Sequence, residues 1–354
     1  MSAKHGSAVS FRLLGCAFAL VLALSALFAA SASAVPVTKT DLALGDSLAF
    51  GYSQQLFNEN EKLGEPPTAF EHGYTNDYFM TSGAKRAGGQ LVNLGCPGET
   101  TDSLIGDGPL GKGLASAIGS TTESPCAYHK AGLPLHHEYG GTKSQLESAL
   151  EQIALNAALG KPVTTLTLNI GANDELRQIK KCEAEVKSEF ETEGKSKYGG
   201  SPEEAVKHCI EAHVEELFKH ILTNVYAILY AIRNGGSFGG INYTGKIVVQ
   251  GGYDPYGNVY GKGEVLPGSN TLAAILNKKE AELVEKEEFG ACYANPQPKF
   301  NPGGKQETAR LQKWTNMANF TEYEGKKNGP DIHPTPTGYH QLALVMIEKC
   351  GGVV

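Results

Sequence analysis

Four short apolar runs, each closed by a glycine-bearing polar turn, set the strongest limit on how this chain can fold. Asp41 to Leu44 ends at Gly45-Asp46-Ser47-Leu48, and Gln90 to Leu94 runs into Gly95-Cys96-Pro97-Gly98-Glu99-Thr100. Val163 to Ile170 ends at Gly171-Ala172-Asn173-Asp174, and Lys246 to Gln250 ends at Gly251-Gly252-Tyr253-Asp254-Pro255. Short runs rich in Val, Ile, Leu and Thr, bounded by Gly or Pro, are the marks of buried parallel strands.

Helical stretches separate these runs. Ser144 to Leu159 sets Leu146, Leu150, Ile153 and Ala157 at helical spacing. Ser201-Pro202-Glu203-Glu204 supplies a cap, a proline for the first turn and acids for the positive helix end. From there Val206, Ile210, Val214, Leu217, Ile221, Val225 and Ile228 form one apolar stripe that stops near Asn234-Gly235-Gly236. Asn270 to Phe289, Gln306 to Phe320 and Pro336 to Lys349 are three more expected helices. Strand–helix alternation with right-handed crossovers predicts a three-layer α/β/α sandwich around a mostly parallel sheet. Two regions break the rhythm and are expected as insertions in a single domain. Residues 106–141 are rich in Gly, Ser, Pro and His and should decorate the mouth of a site, and residues 176–200 are dense in Lys and Glu.

The start of the chain reads as processing sequence. Lys4 and Arg12 precede the apolar run Leu13 to Ala30, which leads to Ala32-Ser33-Ala34. A signal peptide of residues 1–34 and a secreted, extracellular product follow as expectations, with no stable membrane insertion after cleavage. The net charge of −7, without basic runs, argues against nucleic-acid partners. Of the seven cysteines, Cys16 falls in the leader. The remaining six suit an oxidising compartment, and their order suggests the pairs Cys96–Cys126, Cys182–Cys209 and Cys292–Cys350. No C-x-x-C pair occurs, so no metal or other cofactor is expected. The histidines at 129, 136 and 137 and at 208, 213 and 220 match no common ligand spacing and read as surface or boundary residues.

In a doubly wound sheet, side chains at the carboxyl ends of strands converge on one crevice. Ser47, Gly98 and Asn173 all fall at such ends, and Asp331-Ile332-His333-Pro334 lies ahead of the last helix. Together they offer a nucleophile, two oxyanion donors and a general base, the set that ester hydrolysis at a serine requires. Singly, each has a plainer reading: a helix cap for Ser47, a turn glycine for Gly98, a loop-capping amide for Asn173. Asp46, Asp174 and Asp254 read as turn-forming acids. No Gly-x-Ser-x-Gly elbow, phosphate loop or dinucleotide fingerprint is present.

The four blocks, in this order, resemble the SGNH (GDSL) hydrolase superfamily, and the resemblance runs from Asp41 to about Leu344. Within it, the long insertions and the cysteines are most similar to secreted actinobacterial-type esterases and lipases. The resemblance implies a central, mostly parallel five-stranded sheet of flavodoxin-like order, with Ser47 as nucleophile and His333 as base. It also implies an oxyanion hole of the Ser47 and Gly98 N–H groups with the Asn173 amide. The chain departs from the family at one point: the acid expected three residues before the histidine is replaced by Pro330. Either Asp331, two residues before, reaches the imidazole, or a backbone carbonyl such as that of Pro330 accepts its bond. The expected activity is cleavage of small-molecule or lipid esters through an acyl-enzyme, by a chain acting as a monomer. A deacetylase of esterified polysaccharide or cell-wall polymer is the nearest alternative, and a non-catalytic extracellular binding module a further one.

Overall fold

The computed structural model describes residues 40–60, 67–108, 110–112, 114, 128, 131, 133–139 and 143–354. The expected leader, Cys126 and His129 lie outside them. Five strands form the central sheet: β1 (Thr40–Gly45), β2 (Gln90–Asn93), β3 (Val163–Asn169), β4 (Lys246–Gln250) and β5 (Ala291–Ala294). Their order is β2-β1-β3-β4-β5 and every neighbouring pair is parallel, the flavodoxin-like doubly wound arrangement.

Residue alternation along each strand divides the core in two. Leu42 and Leu44 of β1, Leu166 and Leu168 of β3, and Ile247 and Val249 of β4 share one face. That face packs on three helices, α5 (Gln145–Ala158), α7 (Pro202–Arg233) and α8 (Ser269–Val284), through Leu146, Ile153, Ile228, Ile232 and Leu276. Val248 and Ala294 face the other way. They join Tyr74 and Tyr78 of α3 (Tyr74–Thr81) and Leu342 and Met346 of α11 (Pro336–Cys350) in a second apolar cluster. The described residues also form the short helices α1 (Ser47–Phe50), α2 (Gln54–Asn60), α4 (Thr101–Ile105) and α9 (Gln297–Phe300). The longer α6 (Ala172–Glu193) and α10 (Gly304–Trp314) complete the set.

Local chemistry sets the helix starts. Ser144 and Ser201 each form a reciprocal capping box, with Glu147 and Glu204, at the heads of α5 and α7. Two helix ends differ from the sequence expectation. The helix expected over Gln306–Phe320 stops at Trp314, because Thr315 and Asn316 leave it as β6 (Thr315–Asn316) and pair antiparallel with the strand Asp331–Pro334. The helix expected over Asn270–Phe289 ends at Val284, and the chain then turns into β5, an edge strand of four residues too short to stand out as a run. Residues 176–193, within the expected insertion, are helical. They continue α6, a helix of 22 residues that packs along the 32-residue α7 and is joined to it by the Cys182–Cys209 disulfide.

A second disulfide, Cys292–Cys350, ties β5 to the end of α11. Cys96 is disulfide-bonded as well, although Cys126, its expected partner, is not among the described residues. No helix among the described residues is long and apolar enough to cross a membrane.

The Cys292–Cys350 link closes a chain separation of 58 residues. Replacing both cysteines by serine should lower the unfolding free energy by about 4 kcal/mol on the chain-entropy model, measured by urea denaturation. A loss below about 1 kcal/mol would mean that the edge strand is held by its ladder and packing alone.

Candidate active site

The carboxyl end of β1 turns sharply because Gly45 takes a φ of +139°, and a Cβ there would lie 2.1 Å from the Asn169 carbonyl oxygen of β3. The turn delivers Asp46 to the head of α1, where its carboxylate accepts from Leu48 N–H at 2.9 Å. Asp46, rather than Ser47, therefore caps the helix. Ser47 occupies the first helical position, where a backbone N–H has no acceptor within the helix. Its Oγ meets His333 Nε2 at 2.8 Å.

His333 comes from the short strand β9 (Asp331–Pro334), reached after the small hairpin of β7 (Glu322–Tyr323) and β8 (Lys326–Lys327). Extended backbone puts side chains two apart on the same side, and Asp331 Oδ1 lies 2.5 Å from His333 Nδ1. The strand conformation is thus what lets an acid two residues before the histidine, instead of three, reach the ring. Pro330 makes no such contact. Asp331 Oδ2 accepts from Gln54 N–H at 2.9 Å, and the Tyr253 hydroxyl donates to the Ile332 carbonyl, so both ends of the Asp–His unit are held. Burial alone would raise the Asp331 carboxyl, but the hydrogen bond and charge of His333 and the Gln54 N–H hold it below the ordinary carboxylate range.

The second block forms a turn in which Glu99 N–H donates to the Cys96 carbonyl at 3.1 Å. Pro97 and Gly98 take its central positions, and Gly98 has the φ of +85° that this turn needs after proline. Asn173, in the first turn of α6, donates one amide N–H to the Glu99 carbonyl at 2.9 Å, which leaves its second N–H available. Asp174 beside it accepts from Thr101 N–H at 3.0 Å and from Thr101 Oγ at 2.7 Å, so the heads of α4 and α6 are bound to each other. Ser47, Gly98, Asn173 and His333 all line one cavity of about 480 Å³.

Sequence reasoning missed the residue that joins the nucleophile turn to the glycine turn. Gln145, fully buried at the head of α5, accepts from Gly45 N–H at 2.6 Å and donates to the Gly45 carbonyl at 3.0 Å. The same amide donates to Glu99 Oε2 at 2.8 Å, and Ser103 Oγ donates to the other Glu99 oxygen. Only the capping pattern of α5 is visible locally, and nothing in it announces a partner 100 residues away. Burial pushes the Glu99 carboxyl up to about 8 and that of Asp46 to about 7.

The cavity walls are largely apolar. Tyr52, Phe57, Tyr128 and Leu133 line it, as do Leu176 and Ile179 of α6, Leu217 and Phe218 of α7, and Leu272 and Leu276 of α8. Tyr52 also sets its ring edge-on to His333, with centroids 4.8 Å apart. Asp254 lines the cavity and keeps the turn role expected of it, accepting from Tyr256 N–H and Ser269 Oγ. The other described histidines contact neighbours elsewhere: His136 meets the Phe50 carbonyl, His137 meets Gln152, and His220 meets Asp102. Cys182, Cys209 and His213 lie close together, but the two sulfurs are bonded to each other and offer no thiolate to a metal.

No family model matches the chain, and no curated protein matches it. Among solved structures it is similar to LAE5, an alpha/beta hydrolase enzyme from the metagenome of Lake Arreo, Spain. The identity is 14% over 88% of this chain and 94% of that one, with a TM-score of 0.37. It is also similar to the native aryl esterase of M. smegmatis, at 11% identity over 88% and 97% of the two chains and a TM-score of 0.40. A variant of Axe2, an acetyl-xylooligosaccharide esterase from Geobacillus stearmophilus, aligns at 13% identity over 90% and 96%, with a TM-score of 0.36. Likeness at this level carries no argument about what this chain does.

The buried acids give the fold a distinctive pH response. Burial raises Asp41 to about 8, as it does Glu99, and Asp46 to about 7. The folded chain therefore keeps protons that the unfolded chain releases above its ordinary carboxyl pKa. Stability contributed this way is full only below the ordinary carboxyl pKa of about 4 and is lost progressively as the pH rises from there through the folded values of about 7 and 8. Asp331, with a depressed pKa, acts in the opposite sense and loses its contribution only when the pH falls through its folded value. The melting temperature should accordingly be higher near pH 5.5 than near pH 8.5, and Glu99→Gln should reduce the difference. A melting temperature that rises over that interval would contradict this assignment.

Proposed function

We propose that this chain is a serine ester hydrolase of the SGNH type, working through an acyl-enzyme. The reading rests on one observation above all: Ser47 Oγ, His333 Nε2, His333 Nδ1 and Asp331 Oδ1 form a continuous relay with contacts of 2.8 and 2.5 Å. In that relay Asp331 accepts from Nδ1–H, which leaves Nε2 as the base. Ser47 Oγ attacks the ester carbonyl carbon while its proton passes to Nε2. The carbonyl oxygen, now an oxyanion, is held by the N–H groups of Ser47 and Gly98 and by the free amide N–H of Asn173. Collapse breaks the bond to the alcohol oxygen, which takes the proton from Nε2 and leaves. Water then attacks the acyl-enzyme carbonyl with the same imidazole as base, and the carboxylic acid departs from Ser47.

The finer parts of the reading have their own support. The long apolar walls favour an acyl or alcohol portion larger than acetyl over the deacetylase alternative. Export, with residues 1–34 removed, accords with disulfides at Cys182–Cys209 and Cys292–Cys350, which persist in oxidising compartments.

The test is hydrolysis of p-nitrophenyl esters by purified protein. Ser47→Ala should abolish turnover, and Asn173→Ala should lower kcat by roughly 10²–10³-fold. Asp331→Asn should lower kcat by about 10⁴-fold, as expected when the base is no longer held in its working tautomer. Turnover by Ser47→Ala equal to that of the parent protein would overturn the reading.

A further inference from the structure

Among the described residues, the cavity that opens on Ser47 is lined by carboxyl groups but by no lysine or arginine. Three acids reach it: Glu175 of α6, Asp254 of the loop after β4, and Glu280 of α8. Their hydrogen bonding differs. Asp254 has one oxygen on Ser269 Oγ and the other on Tyr256 N–H. Glu280 is 5% exposed and takes the Tyr293 hydroxyl on Oε2 at 2.6 Å, while its Oε1 points to the space beside Gly171, 3.8 Å from where a Cβ of that residue would stand. Glu175 lies in the same wall two residues beyond Asn173, and among the described residues it has neither a hydrogen-bond partner nor a counter-ion.

An apolar chamber is a costly place for carboxyl groups without partners. Burial, with Glu280, Asp174 and Asp254 close by, pushes Glu175 up to about 8, and burial with Asp174 nearby pushes Glu280 up to about 7. An acid in the first turn of a helix is ordinarily explained by the helix dipole. The dipole accounts for a charge at the helix head but not for a side chain turned into the wall of an apolar chamber. Here Glu175 faces the proposed substrate chamber, opposite an acid from a different helix. Both carboxyls share that chamber with the aromatic rings of Tyr253, Tyr256 and Phe218. A cation entering the chamber draws the proton off such carboxyls, and carboxylates with aromatic faces around an apolar space are the chemistry that receives an organic ammonium group.

We propose that the chamber selects esters carrying a cationic ammonium group, with Glu175 and Glu280 as its specificity-determining acids. The inference takes its substrate from the ester-hydrolase reading, but the recognition step is independent of any bond cleavage. The ammonium head would sit between the two carboxyls, its methylene stem along the apolar walls, and the ester carbonyl at Ser47.

Two measurements on the full-length secreted protein test it, one with chemistry and one without. In the first, choline esters are compared with neutral neohexyl esters of the same acid, and the p-nitrophenyl ester of a trimethylammonio-butyrate with its tert-butyl isostere. In at least one pair the cationic ester should show the higher kcat/KM, by roughly tenfold or more, and Glu175→Gln and Glu280→Gln should each shrink that ratio. In the second, binding of choline is followed by calorimetry. It should exceed binding of the neutral neohexanol and weaken about tenfold in the Glu175→Gln, Glu280→Gln double variant. Ammonium binding without any ester turnover would sink the hydrolase reading and leave the recognition site standing. Ester turnover that ignores charge in both pairs, with equal binding of the cation and its neutral isostere, would overturn the proposal.

Discussion

The close approach of two parallel strand ends is the constraint on which the rest of the site depends. β1 and β3 run in register to Gly45 and Asn169, and the absent side chain of Gly45 lets the backbone of one pass against the carbonyl of the other. From that point the chain turns into α1 and presents Ser47. A side chain at position 45 would push the nucleophile turn away from the sheet edge and from everything it must meet. Gln145 then fixes the turn by taking both polar groups of Gly45 and extending the same amide to Glu99. The nucleophile turn and the glycine turn are thereby one hydrogen-bonded body, and Asn173 is added to it through the Glu99 carbonyl.

This organisation explains why the acids around the site are so strongly perturbed. Asp46, Glu99 and Asp174 are all buried beneath the crevice: Asp46 caps its own helix through Leu48 N–H, while Glu99 accepts from Gln145 and Asp174 from Thr101 of neighbouring elements. Their task is to hold loops together where the sheet ends, not to move protons. Asp331 differs. It is the acid whose carboxyl is held low, and its partner is the imidazole that touches Ser47. The sense of each shift separates the structural acids from the one in the relay.

Much of the fold was legible in the sequence because its strands are short apolar runs that end on glycine turns. β4 begins and ends at Lys246 and Gln250, as read, and α7 starts one residue after its cap at Ser201. The failures have a common cause in contacts that local pattern cannot carry. The stretch after Trp314 has helical spacing, yet it is captured by pairing with Asp331–Pro334. The polar run from Leu176 hides its inner side for the same reason: its exposed side is dense in Lys and Glu, while its other side lines the cavity with Leu176 and Ile179. The Asp331 question was open for the same reason. Only the strand conformation of β9 decides whether a residue two positions away faces the same way as the imidazole. Gln145 lay wholly beyond reach, since its partners are brought to it by the sheet.

The claim at the centre is that burial and hydrogen bonding have made Ser47 a nucleophile among the many serines of this chain. Treatment with a fluorophosphonate, followed by peptide mass spectrometry, tests it most directly, because the reagent reports serine activation without assuming any substrate. The account predicts one stoichiometric adduct, on Ser47, that is lost in His333→Ala. An unmodified Ser47, or labelling that persists undiminished without the imidazole, would contradict it.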